Sequence, residues 1–184
     1  MATNSGTHAI TAGGAIGHWK THLLFAPDVV NDLAAPFAQS YIKRLIPHRD
    51  PFLFIDEVNL VNVKHRLIRA TRRVNPDDPI LEGHFPGNPI YPGALQLEGM
   101  FQTALVLLYF LVNGTTSPPL EPHVTEAVGT RVYDVFHPSP VKPGDVMTMR
   151  CRIDAFDEFL VTAAVQVAVG DRVTSVGMGE FHVL

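Results

Sequence analysis

The sequence predicts an α+β fold in which one long, enclosed helix packs against a largely antiparallel sheet. A single helical pattern runs over residues 93–112 and is apolar on nearly all sides, so other elements should enclose it. Most of the remaining segments alternate with a period of two, which is typical of strands. The strands after the helix have no crossover helices between them, and strands joined in this way pair in antiparallel order.

Composition and charge limit the classes of protein to which the chain can belong. Its 184 residues are enough for one domain with a sizeable core. The net charge of −4 provides no basic surface, so we expect no nucleic-acid partner. The single cysteine, Cys151, excludes an internal disulfide. Its alternating surroundings indicate a small core residue.

The N-terminus and the apolar segments predict a cytoplasmic protein without a membrane partner. Residues 9–16 are small and Gly-containing, and no basic cluster precedes them, which argues against a secretory signal peptide. The most apolar run, residues 104–112, is nine residues long. A membrane-spanning helix needs about 20 apolar residues. Because polar residues precede this run, we interpret it as part of a buried core helix.

The first half of the chain divides into an extension and the start of the main domain. Residues 1–36 are predicted to form an N-terminal extension, and the Gly, Ala, Thr and Ser content of residues 1–17 favours disorder there. The main domain, residues 37–184, begins with a short helix over residues 37–45. Residues 52–61 and 66–74 are predicted to form strands, and residues 66–74 alternate between two faces. The loop 75–92 contains five prolines, which we expect to prevent a regular helix.

Four further strands follow the long helix, which ends at the stop signal Asn113-Gly114. The two-residue period returns over residues 131–136, 145–156, 159–169 and 172–183. Gly170-Asp171, between the last two segments, is typical of a two-residue hairpin. Two strands, one long helix and four more strands make an α+β arrangement.

The side chains best suited to acid–base chemistry lie between residues 83 and 102. His84 lies in a loop that prolines make stiff, and a positioned proton-transfer group needs a stiff support. Glu98 lies on an otherwise apolar turn of the helix, where a carboxylate is costly unless it is paired or its pKa rises. Gly93 opens that helix, so its N–H lacks an internal partner and a ligand carbonyl can approach closely. Each residue alone also has an ordinary structural interpretation.

Three motifs stand in a fixed order along the chain. They are LIPHRDPFLFID at residues 45–56, GHFPGNPIYPG at residues 83–93 with Glu98 and Gln102 on the helix that follows, and PVKPGD at residues 140–145. Together they resemble the active-site and turn motifs of the FabZ-type 3-hydroxyacyl-(acyl-carrier-protein) dehydratases. The resemblance covers about residues 38–184 and leaves the extension outside.

The resemblance implies a hotdog fold, in which a curved antiparallel sheet wraps a long central helix, and a homodimer that can assemble further. It implies elimination of water from a (3R)-hydroxyacyl thioester to the trans-2-enoyl thioester, with no metal and no redox cofactor. By this resemblance His84 removes the C2 proton and Glu98 protonates the departing 3-hydroxyl. The N–H of Gly93 holds the thioester carbonyl as negative charge develops on it.

The resemblance also suggests which residues contact the acyl chain and its carrier. Phe85, Phe101 and Gln102 are expected to line the acyl tunnel. Arg131 and Lys142 are the candidates for docking an acyl carrier protein.

The chain departs from the family's pattern at several positions. Asp50 replaces a usual aromatic residue, and Gly99 and Phe101 replace small alanines. Residues 135–139 lack the basic residues common before the PVKPGD turn. A coenzyme A thioester therefore stays open as an alternative to the carrier-bound substrate.

Two other functions also stay open. A hotdog thioesterase would use a carboxylate to activate water, and the loop bearing His84 argues against it. A non-catalytic acyl-thioester-binding subunit would need neither His84 nor Glu98, yet both are present.

His18 and His22 have the spacing of a helical metal site, but no carboxylate accompanies them, so no metal is expected. His48 and Arg49 are interpreted as structural.

Overall fold

The computed structural model describes residues 12–184, with one long helix and seven strands at its centre. In chain order the elements are α1 (Ala12–Trp19), β1 (Phe37–Ala38), α2 (Gln39–Leu45), β2 (Glu57–Asn62), β3 (Leu67–Arg73), α3 (Pro79–Gly83), α4 (Gly93–Asn113), β4 (Ala127–Phe136), β5 (Val146–Phe156), β6 (Leu160–Val169) and β7 (Arg172–Val183).

The strands form one antiparallel sheet that packs against α4. Their order across the sheet is β1-β2-β3-β5-β6-β7-β4, and every neighbouring pair is antiparallel. Helix α4 contacts β3, β5, β6 and β7. Buried side chains from these strands, such as Met149, Cys151 and Val165, meet the helix in the main core. The predicted α+β arrangement, with a single helix enclosed by an antiparallel sheet, is confirmed.

The apolar composition of α4 is explained by its place in the core. By length and composition alone, the helix could cross a membrane. In the fold, however, most of its residues are buried, with Met100, Val106 and Phe110 fully inaccessible to solvent. It begins at Gly93 as predicted and ends at Asn113. Gly114, which follows, adopts the left-handed conformation that favours glycine at a helix C-terminus.

Several predicted segments differ from the structure. The helix expected over residues 37–45 begins only at Gln39, after the short strand β1, which was not predicted, and the strand expected over residues 131–136 begins earlier, at Ala127. The strand expected over residues 52–61 begins only at Glu57, because backbone groups before it bond to Gln102 instead of to a neighbouring strand. The expectation that prolines prevent a helix in the loop 75–92 was wrong over Pro79–Gly83. Proline is tolerated in the first turn of a helix, and the Asp78 side chain caps this one by accepting from the N–H of Ile80.

The N-terminal segment packs on the face of the sheet opposite α4. Ile16 is almost fully buried against Val173 and Val176. The buried amide of Gln166 on β6 accepts from the N–H of Leu24 and donates to the carbonyls of Trp19 and His22. Disorder was expected over residues 1–17, of which 1–11 lie outside the described residues, whereas Ala12–Trp19 forms a helix.

Candidate active site

His84 follows α3 directly and is held at both its ring and its backbone. Its ring Nδ1 lies 2.8 Å from the carbonyl oxygen of Ile90. The backbone N–H of Ile90 donates to the carbonyl of His84, also at 2.8 Å, and the N–H of His84 donates to Ile80. Because a carbonyl can only accept, Nδ1 must carry the hydrogen. The neutral ring therefore has its free lone pair on Nε2, as a general base requires.

The loop after His84 is stiffened by its own hydrogen bonds. Phe85 and Asn88 exchange backbone N–H to carbonyl bonds of 3.3 and 3.0 Å. The rings of His84 and Phe85 are stacked, with centroids 4.1 Å apart. At the far end, the N–H of Tyr91 donates to the carbonyl of Val141, which ties the loop to the chain before β5. These contacts limit the positions that the imidazole can take.

Glu98 lies on α4, in the second turn, and is held by Gln102 one turn later. Gln102 Nε2 donates to Glu98 Oε1 at 2.8 Å. The same amide donates to the carbonyl of Phe52 and accepts from the N–H of Phe54. Gln102 is fully buried, while 28% of the Glu98 side-chain surface is exposed to solvent. The carboxylate is therefore fixed by a buried clamp and still accessible from one side.

His48 is a site residue whose contact the sequence analysis missed. Its Nε2 lies 3.5 Å from Glu98 Oε1, the same oxygen that Gln102 contacts. The ring stacks loosely on Phe52, with centroids 6.3 Å apart. The two segments that carry His48 and Glu98 are 50 residues apart, so no spacing rule links them. Only the motif at residues 45–56 could have drawn attention to this histidine.

Gly93 occupies the first turn of α4 and is closely covered. The N–H groups of Leu95 and Gln96 both reach the carbonyl of Pro92, but within the described residues the N–H of Gly93 has no acceptor. A Cβ added at Gly93 would lie 2.7 Å from Nε2 of His137, so no other residue fits here without displacing that ring. Burial lowers the pKa of His137, so its ring is mostly neutral at pH 7.

A cavity of about 570 Å³ opens beside Glu98. It is lined by His48, Phe52, Glu98, Phe101, Gln102, Leu105, residues 127–132 of β4, and Phe181. The ring of Phe101 meets Phe181 edge-on, with centroids 4.8 Å apart, and covers Gly179, where a Cβ would collide with it. Phe101 thus forms a wall of this cavity. Gln102 reaches the cavity too, but its amide is already occupied by hydrogen bonds.

Of the other predicted site residues, Arg131 lines the Glu98 cavity, whereas Phe85 and Lys142 are not among its lining residues. Phe85 is 53% exposed and lines a separate groove of about 750 Å³ beside α3, and His84 is not among the residues lining either space. Arg131 lines the β4 side of the Glu98 cavity and covers the ring of Tyr133. Lys142 is exposed in the turn before β5. Among the described residues, His84 therefore lies outside the cavity that Glu98 lines.

The histidine pair and the single cysteine noted in the sequence lie outside this site. His18 and His22 stack at 4.1 Å, and in the part of the chain that the structure describes no group of three or more His, Cys, Asp or Glu side chains is placed to hold an ion. Cys151 is fully buried among apolar side chains, and burial raises the pKa of its thiol. It therefore stays protonated and packs as a core residue.

The sequence matches the FabA-like domain family over residues 46–176. It is 33% identical over 136 residues to the 3-hydroxyacyl-(acyl-carrier-protein) dehydratase FabZ of Chlamydia trachomatis, a match that covers 74% of this chain and 85% of that protein. The FabZ dehydratase of Campylobacter curvus is 38% identical over 113 residues, covering 61% of this chain and 74% of that protein.

Among solved structures, the dehydratase heterocomplex ApeI:P from Xenorhabdus doucetiae is similar in fold. Its TM-score is 0.62 at 16% sequence identity, and the match covers 78% of this chain and 90% of that chain. At this identity the likeness concerns the fold alone, and it confirms the predicted hotdog architecture.

Proposed function

The chain belongs to the FabA-like domain family, and we propose that it dehydrates (3R)-hydroxyacyl thioesters to trans-2-enoyl thioesters with His84 as base and Glu98 as acid. It is a hydro-lyase of the FabZ type. It acts in the biosynthesis of fatty acids or of related acyl chains, such as polyketides. The observation that carries the residue assignment is the bond between His84 Nδ1 and the carbonyl of Ile90. That bond fixes the tautomer in which Nε2 can accept a proton.

The chemistry divides between three groups. Nε2 of His84 takes the proton from C2, the C2–C3 double bond forms, and the C3–O bond breaks. The departing hydroxyl takes a proton from the Glu98 carboxyl and leaves as water. The free N–H of Gly93 supports this by donating to the thioester oxygen, on which negative charge develops as C2 loses its proton.

The site is proposed to form between two copies of the chain. In one subunit His84 lies outside the cavity that Glu98 lines. Strand β4 is at the edge of the sheet, next to that cavity, and carries exposed apolar residues, with Val128 and Val132 each 49% exposed. Exposed apolar edge strands invite pairing with another strand. A two-fold homodimer through β4 would cover this edge, and further assembly of such dimers stays a prediction.

An acyl carrier protein is the proposed carrier of the substrate. The FabZ relatives from Chlamydia trachomatis and Campylobacter curvus are named as dehydratases of 3-hydroxyacyl groups on an acyl carrier protein. Arg131, which is exposed and lines the Glu98 cavity, and the exposed Lys142 offer positive charge to an acidic partner. A coenzyme A thioester remains the second candidate. The cytoplasmic location expected from the sequence also stays a prediction.

A direct assay distinguishes this function from the two alternatives. The purified protein is incubated with a 3-hydroxyacyl thioester, and enoyl absorbance and free thiol are followed together. Dehydration gives enoyl absorbance without free thiol, and a thioesterase gives free thiol. Substrate binding without either product would indicate a binding subunit and contradict the proposal. Repeating the assay with carrier-bound and coenzyme A substrates identifies the carrier.

A further inference from the structure

His48 is the ionisable side chain nearest to the carboxylate of Glu98. Its Nε2 lies 3.5 Å from Glu98 Oε1, and both side chains line the same cavity. They are partly shielded, with 21% of the His48 side chain and 28% of the Glu98 side chain exposed. A water molecule or a substrate hydroxyl in the cavity could therefore reach the pair.

The two ring nitrogens of His48 face different surroundings. Nδ1 is buried and has no hydrogen-bond partner among the described residues, so it has no route for exchanging a proton. Nε2 faces the Glu98 carboxylate and the cavity. Nε2 is therefore the atom at which His48 gains or loses a proton.

The charges around His48 set how firmly it holds that proton. Burial is the largest effect and lowers the pKa of His48, Glu98 raises it, and Arg49 lowers it. Arg131, on β4, lines the same cavity as His48. Asp50 is close in sequence, but its carboxylate pairs with Lys43 at 2.6 Å. His48 therefore gives up a proton readily to a neighbouring acceptor.

The proposed dehydration leaves the two catalytic groups in the wrong protonation states for another cycle. His84 ends with an additional proton, taken from C2, and Glu98 ends without the proton that left in water. His84 can release its proton to solvent. Glu98 must regain one before it can act as an acid again.

We propose that His48 is a positioning residue that shares a proton with Glu98 and returns it to the carboxylate for the next turnover. This inference rests on the proposed function. When the cavity contains water, Nε2 of His48 takes up a proton from that water while Nδ1 keeps its own hydrogen, and the imidazolium lies next to an ionised Glu98. When substrate displaces that water, separated charges become costly, and the neutral pair with the proton on Glu98 is favoured. The proton is thus on Glu98 when the hydroxyl departs.

Three substitutions separate proton return from a purely structural role. His48→Gln retains an N–H donor near the position of Nε2 but cannot hold an additional proton. His48→Ala removes the ring and leaves space that free imidazole can fill. His65→Asn, in the exposed turn between β2 and β3, serves as the control for histidine loss.

We expect His48→Gln to retain its melting temperature and to lose about 100-fold in kcat, the lower end for a proton-transfer group, with little change in KM. The alkaline limb of its pH profile should move to lower pH, because the pair no longer retains a proton jointly. Imidazole should restore turnover to His48→Ala in a concentration-dependent manner, and His65→Asn should match the wild type. Wild-type kcat and an unchanged pH profile in His48→Gln would overturn the proposal.

A measurement on the unmodified histidine covers the case in which His48 variants fail to fold. The pKa of His48 is followed by NMR in the wild type and in Glu98→Gln. Because Glu98 raises the pKa of His48, the variant should show a lower value. Equal values would overturn the shared proton. A wild-type protein that forms no enoyl product would instead contradict the proposed function, so the two failures are distinguishable.

Discussion

Gln102 donates a hydrogen bond of 2.8 Å from its amide Nε2 to Oε1 of Glu98, one turn earlier on the same helix. The amide also bonds to the backbone of Phe52 and Phe54, so one buried side chain fixes both the proposed acid and the loop beside it. The position of Glu98 therefore depends on Gln102, whose amide is already occupied by these hydrogen bonds and does not bind the substrate.

Replacing Gln102 by Met should affect both stability and turnover. The substitution retains the length of the side chain but leaves the Phe54 N–H and Phe52 carbonyl without their partner, at a cost of about 1–3 kcal/mol in the free energy of unfolding. Turnover should fall about 10- to 100-fold because Glu98 is no longer held in place. Gln96→Met is the matched control, since Gln96 is also buried but makes a single hydrogen bond among the described residues, of 3.4 Å. Equal effects of both substitutions on kcat would contradict the clamp.

His84→Ala and Glu98→Gln should each retain the fold and lose most turnover. Neither side chain belongs to the apolar core, and general acid or base groups contribute about 10²–10⁴-fold to rate. Circular dichroism and the melting temperature check folding, and enoyl absorbance measures turnover. Near-wild-type dehydration by folded His84→Ala would show that another group removes the C2 proton.

Mixing the two inactive variants tests the shared site. Subunit exchange between His84→Ala and Glu98→Gln should give mixed dimers with one intact centre and one doubly altered centre, if each site takes its two groups from different chains. Activity should return to about one wild-type site per mixed dimer. If exchange is verified by mass spectrometry and no activity returns, the site is not shared, although the residue roles could still be correct.

Phe101 and Gly179 should set the acyl-chain preference in opposite directions. Removing the ring in Phe101→Ala widens the cavity beside Glu98 and should improve activity on long chains relative to short ones. Gly179→Ala places a methyl group where the Phe101 ring lies, so the ring must move and the preference should shift toward short chains. The ratio of kcat/KM for long and short substrates measures both effects. A stable pair of variants with unchanged ratios would remove Phe101 from the tunnel wall.

Gln166→Leu should weaken the attachment of the N-terminal segment. It leaves the Leu24 N–H and the Trp19 and His22 carbonyls without their partner, which should cost about 1–3 kcal/mol in the free energy of unfolding, measured by urea denaturation. The chain's single tryptophan, Trp19, lies against Arg152 in this segment, so its fluorescence reports detachment directly. Thr162→Ala on the same strand is the control. Unaltered fluorescence and stability in Gln166→Leu would indicate that the segment is held by its apolar contacts alone.

The sequence alone was sufficient to predict the architecture and the class of reaction. The enclosed helix, its start at Gly93 and its end at Asn113 follow from local patterns, because apolar periodicity and stop signals are properties of neighbouring residues. The strands after the helix follow for the same reason. The motifs around His84 and Glu98 led to the dehydratase family, which the comparisons confirm.

Tertiary structure decided the contacts between segments that are distant along the chain. Residues 52–55 were predicted to be part of a strand, yet Gln102 bonds to the backbone of Phe52 and Phe54, and this segment is irregular. Disorder was expected over residues 1–17, but Ile16 is buried by apolar side chains of β7, more than 150 residues later. His48 reaches Glu98 in the same way, across 50 residues. The periodicity of a sequence shows which face of a helix or strand is apolar. It does not show which residues contact that face or which groups bond to a polar atom on it, because those contacts form only when the whole chain packs.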